Sequence, residues 1–527
     1  MNLSKMLLLL LLVSASQLLF AQSSGRLTGT VTDRSTLRPI AGATVALSGG
    51  AAGSTDSLGR FTFSNLDFGS YTLTVTAIGY TENKLYNLVI TSGNEATALV
   101  ELEPQKQQLA GVTVTTNRRT AQAATLESPL SVQRLTAEEI RSNPGGNFDI
   151  SRVIQTLPGV GGTSGSVGSF RNDIVIRGGA PNENVFYLDG IEVPVINHFA
   201  TQGSAGGPTG ILNVSFIEDV KLNTSAFEAR HDNALSSVFQ FRQKTGNPNR
   251  VQGNFRLSAT EVAATFEGPI TKERTTFLAS ARRSYLQFLF QAIDLPIRPN
   301  YWDFQFKVTH RLSEKATLTF LGVGAIDEFS FAEPKTATPE KLYVLNSNPS
   351  IDQWSYTVGA ALRQQLNNGY LSVTLSRNML DNQLNKFENN RLPSEAERVL
   401  RVQSQEVENK LRVEVNKNFS GWRVAYGVMG QLVDYNNTTF NRLRKEILDE
   451  NGQVVQPAVT INFTSPLKAL FVTAVLYRRE SGFLRNAWAL VPACVRMATR
   501  LPMMARTSQK PCRHAFRFLL YLRQNGP

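Results

Sequence analysis

Between residues 251 and 480 the chain alternates apolar and polar positions over long stretches. From Asn409 to Phe419, Leu411, Val413 and Val415 interleave with Lys410, Arg412, Glu414 and Asn416, and Trp422, Val424, Tyr426 and Val428 repeat the pattern. A period of two predicts strands with one apolar and one polar face. A soluble sandwich and a membrane-spanning barrel both need that alternation, so the lengths of the connections have to separate them. Expected strands 301–312 and 316–327 are joined by Ser313-Glu314-Lys315, and 352–366 and 370–380 by Asn367-Asn368-Gly369. Strands 402–417 and 422–435 are joined by residues 418–421, whereas 328–351, 381–401 and 436–459 read as long polar insertions. Regular exchange of short and long connections is the pattern of a transmembrane β-barrel, with tight turns on one side of the membrane and loops on the other. For the parity to hold, 251–270 must contain two strands with a tight bend near Thr260-Glu261, and ten strands then fit before residue 480.

Upstream, residues 25–103 carry shorter β-prone runs: Leu27 to Val31, Thr44 to Leu47, Arg60 to Phe63, Tyr71 to Ala77, Leu85 to Ile90 and Thr97 to Leu102. Gly42, Gly49-Gly50, Asp56-Ser57-Leu58-Gly59 and Asp67-Phe68-Gly69 separate them at the spacing of a β-sandwich. In the run 71–77, Tyr, Leu, Val and Ala share one face and Thr the other, which predicts one core face and one solvent face. Residues 29–50 and 55–80, with this order of turns, resemble the carboxypeptidase-regulatory-like domain, a seven-stranded accessory sandwich whose name implies no peptidase activity. No HxxE or HExxH zinc pattern stands in the chain.

A polar linker, residues 104–108, leads into the extended stretch 109–116 and then Asn117-Arg118-Arg119. Thr136-Ala137-Glu138-Glu139 is a capping-box pattern for a short helix stopped by Asn143-Pro144-Gly145-Gly146. A second short helix is expected from Asp149 to Thr156, ending at Leu157-Pro158-Gly159. The Gly/Ser stretch 159–170 follows, then strands Asp173 to Arg177 and Asn184 to Leu188 around the turn 178–183. Gly178-Gly179 would allow positive φ in a tight hairpin there, and Asp189-Gly190 is a favoured turn after an apolar strand.

The order of helix, Leu157-Pro158-Gly159-Val160, Gly-rich loop, residues 174–194 and residues 217–246 resembles the plug domain of TonB-dependent outer-membrane receptors. The resemblance implies a globular plug inside a barrel, a plug motif at Arg177, Gly178, Gly179, Asp189 and Gly190, and a TonB box just upstream, with Val112, Thr113, Val114 and Thr115 as its candidate. The box departs from the family pattern: Ala110-Gly111 precede Val112 where an acidic residue is usual, and Thr116 replaces Ala. An exposed strand of this kind suits capture by the edge of another sheet, and the resemblance implies the periplasmic energy-coupling protein TonB as the partner. It also implies a place in the outer membrane among its lipids, with the N-terminal domain in the periplasm. The cargo implied is a scarce small ligand such as a siderophore, vitamin or oligosaccharide, met by loops and by plug apices at 159–172 and 191–210. Two other readings remain at this stage: an envelope binding or signalling module that does not transport, and a non-functional fragment. Arg177 and Asp189 are either solvated turn charges or partners of plug and wall charges.

The expected fold is therefore mainly β: an N-terminal β-sandwich over 22–103, a linker with the box over 104–120, an α+β plug over 121–250, and a partial antiparallel transmembrane β-barrel over 251–480. Plugged outer-membrane barrels have about 22 strands, so ten make the barrel incomplete.

The two ends carry different signals. Lys5 followed by the apolar run Met6 to Val13 and by Leu18-Leu19-Phe20-Ala21 reads as an export signal cleaved after Ala21. No stretch reaches the length of a transmembrane helix. After Glu480 there is no acidic residue, eight basic ones appear, both cysteines (Cys494 and Cys512) lie there, and the alternation stops. Residues 481–527 thus read as an out-of-frame or non-native tail, with a basic interaction tail as the alternative. The formal charge of +12, from 54 Lys+Arg against 42 Asp+Glu, points at first to nucleic acid. Eight of those surplus charges lie in the tail and one is Lys5, which leaves +3 for residues 22–480 and removes that reading.

Candidate chemistry is thin. Four scattered His and two Cys give no metal site, no cofactor is expected, and the Gly-rich stretch contains neither GxGxxG nor GxxxxGK[ST] for a phosphate. His198 and His231-Asp232 look like fragments of a catalytic relay, but without a G-x-S-x-G elbow they read as structural or lumen-lining groups, and no catalytic residue is expected.

Overall fold

A computed structural model describes residues 25–34, 36–91, 95–104, 121–122, 132–136, 139–140, 143, 149–162, 173–224, 227, 230–231, 233–388, 390, 394–419, 422–449, 452–480 and 494–499. The signal over 1–21 and the box residues Val112 to Thr115 lie outside the described residues. The chain divides into two compact units, Met1–Gly111 and Val112–Pro527.

The first unit holds β1 (Gly25–Asp33), β2 (Thr44–Leu47), β3 (Ala52–Ser54), β4 (Arg60–Leu66), β5 (Gly69–Thr76), β6 (Asn83–Ile90) and β7 (Ala96–Leu102). They form two sheets, β4-β1-β7 and β3-β2-β5-β6, with β1 and β7 parallel. The core between them contains Leu27, Val31, Val45, Phe61, Leu73, Val75, Val100 and Leu102. Leu73 and Val75 are fully buried, as the alternation over 71–77 predicts. β3 is the strand the pattern does not announce, because all three of its residues are exposed. Gly29 is required where β1 passes Phe61: a Cβ there would lie 2.3 Å from the Ala98 carbonyl oxygen and 2.3 Å from the Phe61 ring. The Tyr80 hydroxyl donates to Asp33 Oδ2 at 2.9 Å, tying a turn to the end of β1.

The second unit begins with β8 (Ala121–Gln122), β9 (Val132–Thr136), β10 (Val160–Gly162), β11 (Ile174–Ile176), β12 (Asn184–Leu188), β13 (Ile191–Glu192), β14 (Asn197–His198), β15 (Thr209–Gly210), β16 (Ile217–Asn223) and β17 (Ser237–Gln243). Six of them make one sheet in the order β13-β12-β17-β16-β9-β8. The second short helix is observed at Ile150–Ile154, with Asp149 as its cap: its Oδ1 accepts from the Ser151 amide and its Oδ2 from the Gly210 amide at 3.0 Å. Residues 139 and 140 are helical, one turn beyond Thr136, which itself ends β9. β11 and β12 do not form the expected hairpin. β11 pairs with β10, β12 pairs with β13 and runs parallel to β17, and a 3-10 turn at Pro181–Glu183 joins the two. All five residues of β12 are buried, and a strand covered on both faces needs a central place in the larger sheet.

The wall comprises β18 (Gln252–Leu257), β19 (Glu261–Thr271), β20 (Thr275–Ser284), β21 (Ile297–Ser313), β22 (Ala316–Phe331), β23 (Ser350–Leu366), β24 (Gly369–Phe387), β25 (Arg398–Phe419), β26 (Trp422–Arg444), β29 (Val459–Glu480) and β30 (Cys494–Thr499). These eleven strands lie side by side in chain order, and β27 (Ile447–Leu448) with β28 (Val454–Gln456) makes a ribbon in the last loop. Ten of the eleven lie at or before Glu480, and the bend between β18 and β19 falls at 258–260. β30 joins the edge of β29 from within the stretch read as a non-native tail. The long insertions are shorter than expected, because β24 and β26 continue seven and nine residues into the polar runs and β22 and β25 extend four residues into them. Strand ends wet on both faces have no reason to alternate, so the pattern hides them.

Candidate functional site

The wall is inverted relative to a soluble sheet. In the middle of β21, Asp303, Gln305 and Lys307 are buried while Phe304 and Phe306 between them are exposed. Ser355, Thr357, Thr374, Ser376, Asn378 and Asn382 continue the buried polar face, while Phe320, Ile326, Trp354, Val358, Leu375 and Leu411 continue the exposed apolar one. Apolar outside and polar inside is the pattern for lipid on one side and a hydrated or protein-filled lumen on the other.

The sheet built on β12, β16 and β17 is seated against the polar side. Its core, with Phe186 stacked on Phe239 at 5.0 Å, extends into Leu321, Val323 and Ala325 of β22. Around that contact, three polar clusters join seat and wall.

The first centres on His198. The short ladder of β14 with β15 turns its ring toward β21 and β22, where it is fully buried. Nδ1 lies 2.5 Å from Asp327 Oδ1, Nε2 lies 3.1 Å from Asp303 Oδ2, and the Phe199 amide donates to Asp327 Oδ2 at 2.8 Å. Tyr301 stacks on the imidazole at 4.0 Å. Arg282 donates to Asp303 at 2.6 Å and to the Gly210 carbonyl, and Arg256 pairs with Glu261, which also accepts from Tyr301 at 3.1 Å. Burial by itself would lower the His198 pKa. The carboxylates of Asp327 and Asp303 outweigh it and hold the ring above its ordinary value. With the ring protonated, both nitrogens donate, and three cations (Arg256, Arg282, His198) balance three carboxylates (Glu261, Asp303, Asp327).

The second cluster centres on Asp189. It accepts from the Gln243 amide at 2.9 Å and the Gln243 side chain at 3.0 Å, and Lys307 Nζ lies 2.9 Å away. Lys307 also donates to the carbonyls of Gln243 and Lys244, and Gln305 bonds both Gln243 and the Asn213 amide.

The third lies on β25. Lys410 pairs with Glu192 and Glu408, each at 2.8 Å, and Arg412 donates to the Tyr187 hydroxyl at 3.1 Å while its guanidinium sits 5.1 Å from that ring's centre. Burial, then the charge of Glu192, pushes the Tyr187 phenol up against the opposing pull of Arg412. His231 packs on Tyr187 at 5.3 Å and accepts from Gln240. Burial, then the charges of Arg230 and Arg412, brings His231 down to about 3, a shift opposite in direction to that of His198.

The structure therefore places Asp189 in the seat's contact with the wall, and Gly190 in its turn at φ 87°. Gly178 has φ 82° and Arg177 φ 47°, both exposed in the turn that follows β11. Gly179 is a close approach rather than a hairpin: a Cβ would lie 1.6 Å from Ser236 Oγ. Part of 191–210, expected as an apex, is buried instead, with His198 and Phe199 against the wall. The wall residues of all three clusters escape motif reading; their signal is that charged and amide side chains occupy alternate positions of otherwise apolar strands.

Residues 26–103 match the family model of the carboxypeptidase regulatory-like domain, and residues 124–237 match that of the TonB-dependent receptor plug domain. The chain carries a TonB-dependent receptor plug. The plug is preceded by the regulatory-like sandwich and followed by the inverted wall. The ferrienterobactin receptor of Escherichia coli (strain K12) is 34% identical over 138 residues, covering 24% of this chain and 18% of that protein. Among solved structures, the ferric enterobactin receptor of Pseudomonas aeruginosa in complex with enterobactin is similar, at 17% identity and a TM-score of 0.47, over 69% of this chain and 57% of that one. The siderophore receptor of Acinetobacter baumannii gives 13% and 0.45, over 71% and 59%. The chain thus spans under a fifth of the curated relative's length and somewhat over half of the first structure's.

Proposed function

We propose that this protein is an outer-membrane receptor that imports a scarce small ligand, using energy delivered by TonB. The observation that carries the reading is a matched plug domain held by buried ion pairs to the polar side of a wall whose other side is apolar and exposed. Such a plug closes the lumen at rest. Beside the apolar contact with β22, the plug meets the wall through ion pairs and hydrogen bonds, which can exchange for water when the plug moves.

In this reading the ligand binds on the loop side of the wall, and residues 109–116, around Val112, Thr113, Val114 and Thr115, add as a strand to periplasmic TonB. The relatives named for ferric enterobactin and siderophores favour an iron chelate among the small ligands. A cavity of about 280 Å³ between plug and wall is lined by polar side chains such as Asn184, Glu192 and Asn378 and equally by apolar ones such as Phe186, Ile211 and Met379. No bond is made or broken in such a cycle.

The test is uptake of a labelled ferric siderophore by cells expressing the full-length receptor with and without residues 109–116. Deletion should leave surface binding unchanged and abolish accumulation; equal accumulation would contradict the proposal.

A further inference from the structure

Along β25, alternate residues face the plug: Ser404 bonds Gln202, Lys410 pairs with Glu192, and Arg412 donates to Tyr187. Glu406 and Glu408 belong to the same face, between Ser404 and Lys410, so the strand turns two acids inward on the loop side of two bases. The register sets Thr357, Asn378 and Glu408 in one row and Ser355, Leu380 and Glu406 in the next. All six line the cavity of about 280 Å³ between plug and wall, with Glu192 on the plug side, whereas Lys410 and Arg412 are not part of the lining.

Two of the three carboxylates share a single ammonium. Lys410 Nζ lies 2.8 Å from both Glu192 and Glu408, and Glu408 also accepts from Gln431 at 2.8 Å and from Asn378 Nδ2 at 3.2 Å. Glu406 forms no ion pair among the described residues. Its surroundings are the neutral Gln202, the like charge of Glu408 and the already shared Lys410. Asn378 is 4% exposed, and with its nitrogen given to Glu408 its Oδ1 receives no hydrogen bond. An uncompensated carboxylate and an amide oxygen without a donor thus stand in adjacent rows of neighbouring strands, and both are costly inside a protein until a donor reaches them.

We propose that this cavity is a binding site for the ammonium group of a small organic cation. The N–H groups donate to Glu406 and to Asn378 Oδ1 and bring the positive charge that Glu406 lacks. The lining is as much apolar as polar, and Phe186, Ile211 and Val323 receive a hydrocarbon body of a few carbons. The volume suits so small a ligand, since it falls just below the usual lower bound of ligand pockets, about 300 Å³. A bare metal ion would leave the apolar half without a partner, and among the described residues no group of three His, Cys, Asp or Glu side chains is set to hold one. An anion would meet three carboxylates. The site needs only the plug seated on the wall, so it goes beyond the import reading.

Binding of radiolabelled n-butylammonium to the purified full chain in uncharged detergent is measured by equilibrium dialysis, with 1-butanol, butyrate and sodium ions as competitors. Wild type should bind the cation saturably, and none of the three competitors should displace it at equal concentration. Glu406→Gln should weaken binding by about tenfold or more, because a hydrogen bond to a charged acceptor is worth more than one to a neutral acceptor. Glu328→Gln, which removes an exposed carboxylate of β22, should leave binding unchanged and so separates this site from general attraction by the protein's charge. Non-saturable binding, displacement by any of the competitors, Glu406→Gln as tight as wild type, or an equal loss in Glu328→Gln overturns the proposal. If Glu406→Gln does not fold, the wild-type competition decides: resistance to all three competitors supports the site, and displacement overturns it. No step uses uptake, so failure here leaves the import reading standing, and failure of import leaves this site standing.

Discussion

His198 Nδ1 lies 2.5 Å from Asp327 Oδ1, a contact between plug and wall that joins positions 129 residues apart. Because Asp303 holds the other ring nitrogen, the imidazole is clamped on both sides and its proton is part of the clamp.

The sign of its pH dependence follows. A pKa raised in the folded state contributes stability that is complete below the ordinary imidazole value, about 6.5, and is lost as pH rises through the higher folded value. Hydrogen exchange at residues 197–210 should therefore speed up as pH rises from 6 toward 9 by more than the intrinsic base-catalysed increase. In His198→Gln that excess should vanish. Equal excess in both proteins would mean that His198 does not titrate in the clamp.

Removing the ring altogether leaves two buried carboxylates against one fewer cation. His198→Ala should lower the stability of the seat by about 3–5 kcal/mol, the usual cost of breaking a buried ion pair from one side. Protection of the β14–β15 amides in detergent-solubilised protein measures it, and a change below about 1 kcal/mol would show that the cluster relaxes freely.

Asp189 and Lys307 give a cleaner comparison. Asp189→Ala strands the Lys307 ammonium and uncaps the Gln243 amide, so it should expose the β17 amides to exchange. Asp189→Asn with Lys307→Gln removes both charges and should recover most of the protection, because leaving one charge unpaired costs more than removing the pair. A double variant no better than Asp189→Ala would show that the unpaired Lys307 charge is not the source of the loss.

Gly179→Ala should destabilise the plug by about 1–3 kcal/mol through overpacking against Ser236. Gly179→Ala combined with Ser236→Gly should recover part of that loss in a thermal unfolding series, whereas Gly178→Ala acts through φ alone and should gain nothing from Ser236→Gly.

Much of this arrangement was legible in the sequence, and the limits have physical causes. The ten strands up to Glu480 and their short turns follow from period-two alternation and connection length, since both are local. Where β24 and β25 leave the apolar belt, as at Asn382 to Phe387, both faces are polar and the strands read as loop. β3 was invisible for the same reason. The β11–β12 hairpin was misread because Gly178-Gly179 permits a tight turn without requiring one, and the pairing of β12 with β17 is a choice between distant segments. Asp189 could be singled out by its turn, but its partner Lys307 could not, because nothing local distinguishes a lumen lysine that meets the plug from one that meets water.

The account rests on the wall turning its apolar side to lipid and its polar side to the plug. Nitroxide labels placed singly at 304, 305 and 306 of the full chain in outer membranes, read by oxygen against water-soluble nickel accessibility, test this directly. Labels at 304 and 306 should be accessible to oxygen and shielded from nickel, and the label at 305 shielded from both. A label at 305 in lipid, or all three open to nickel, would contradict the account.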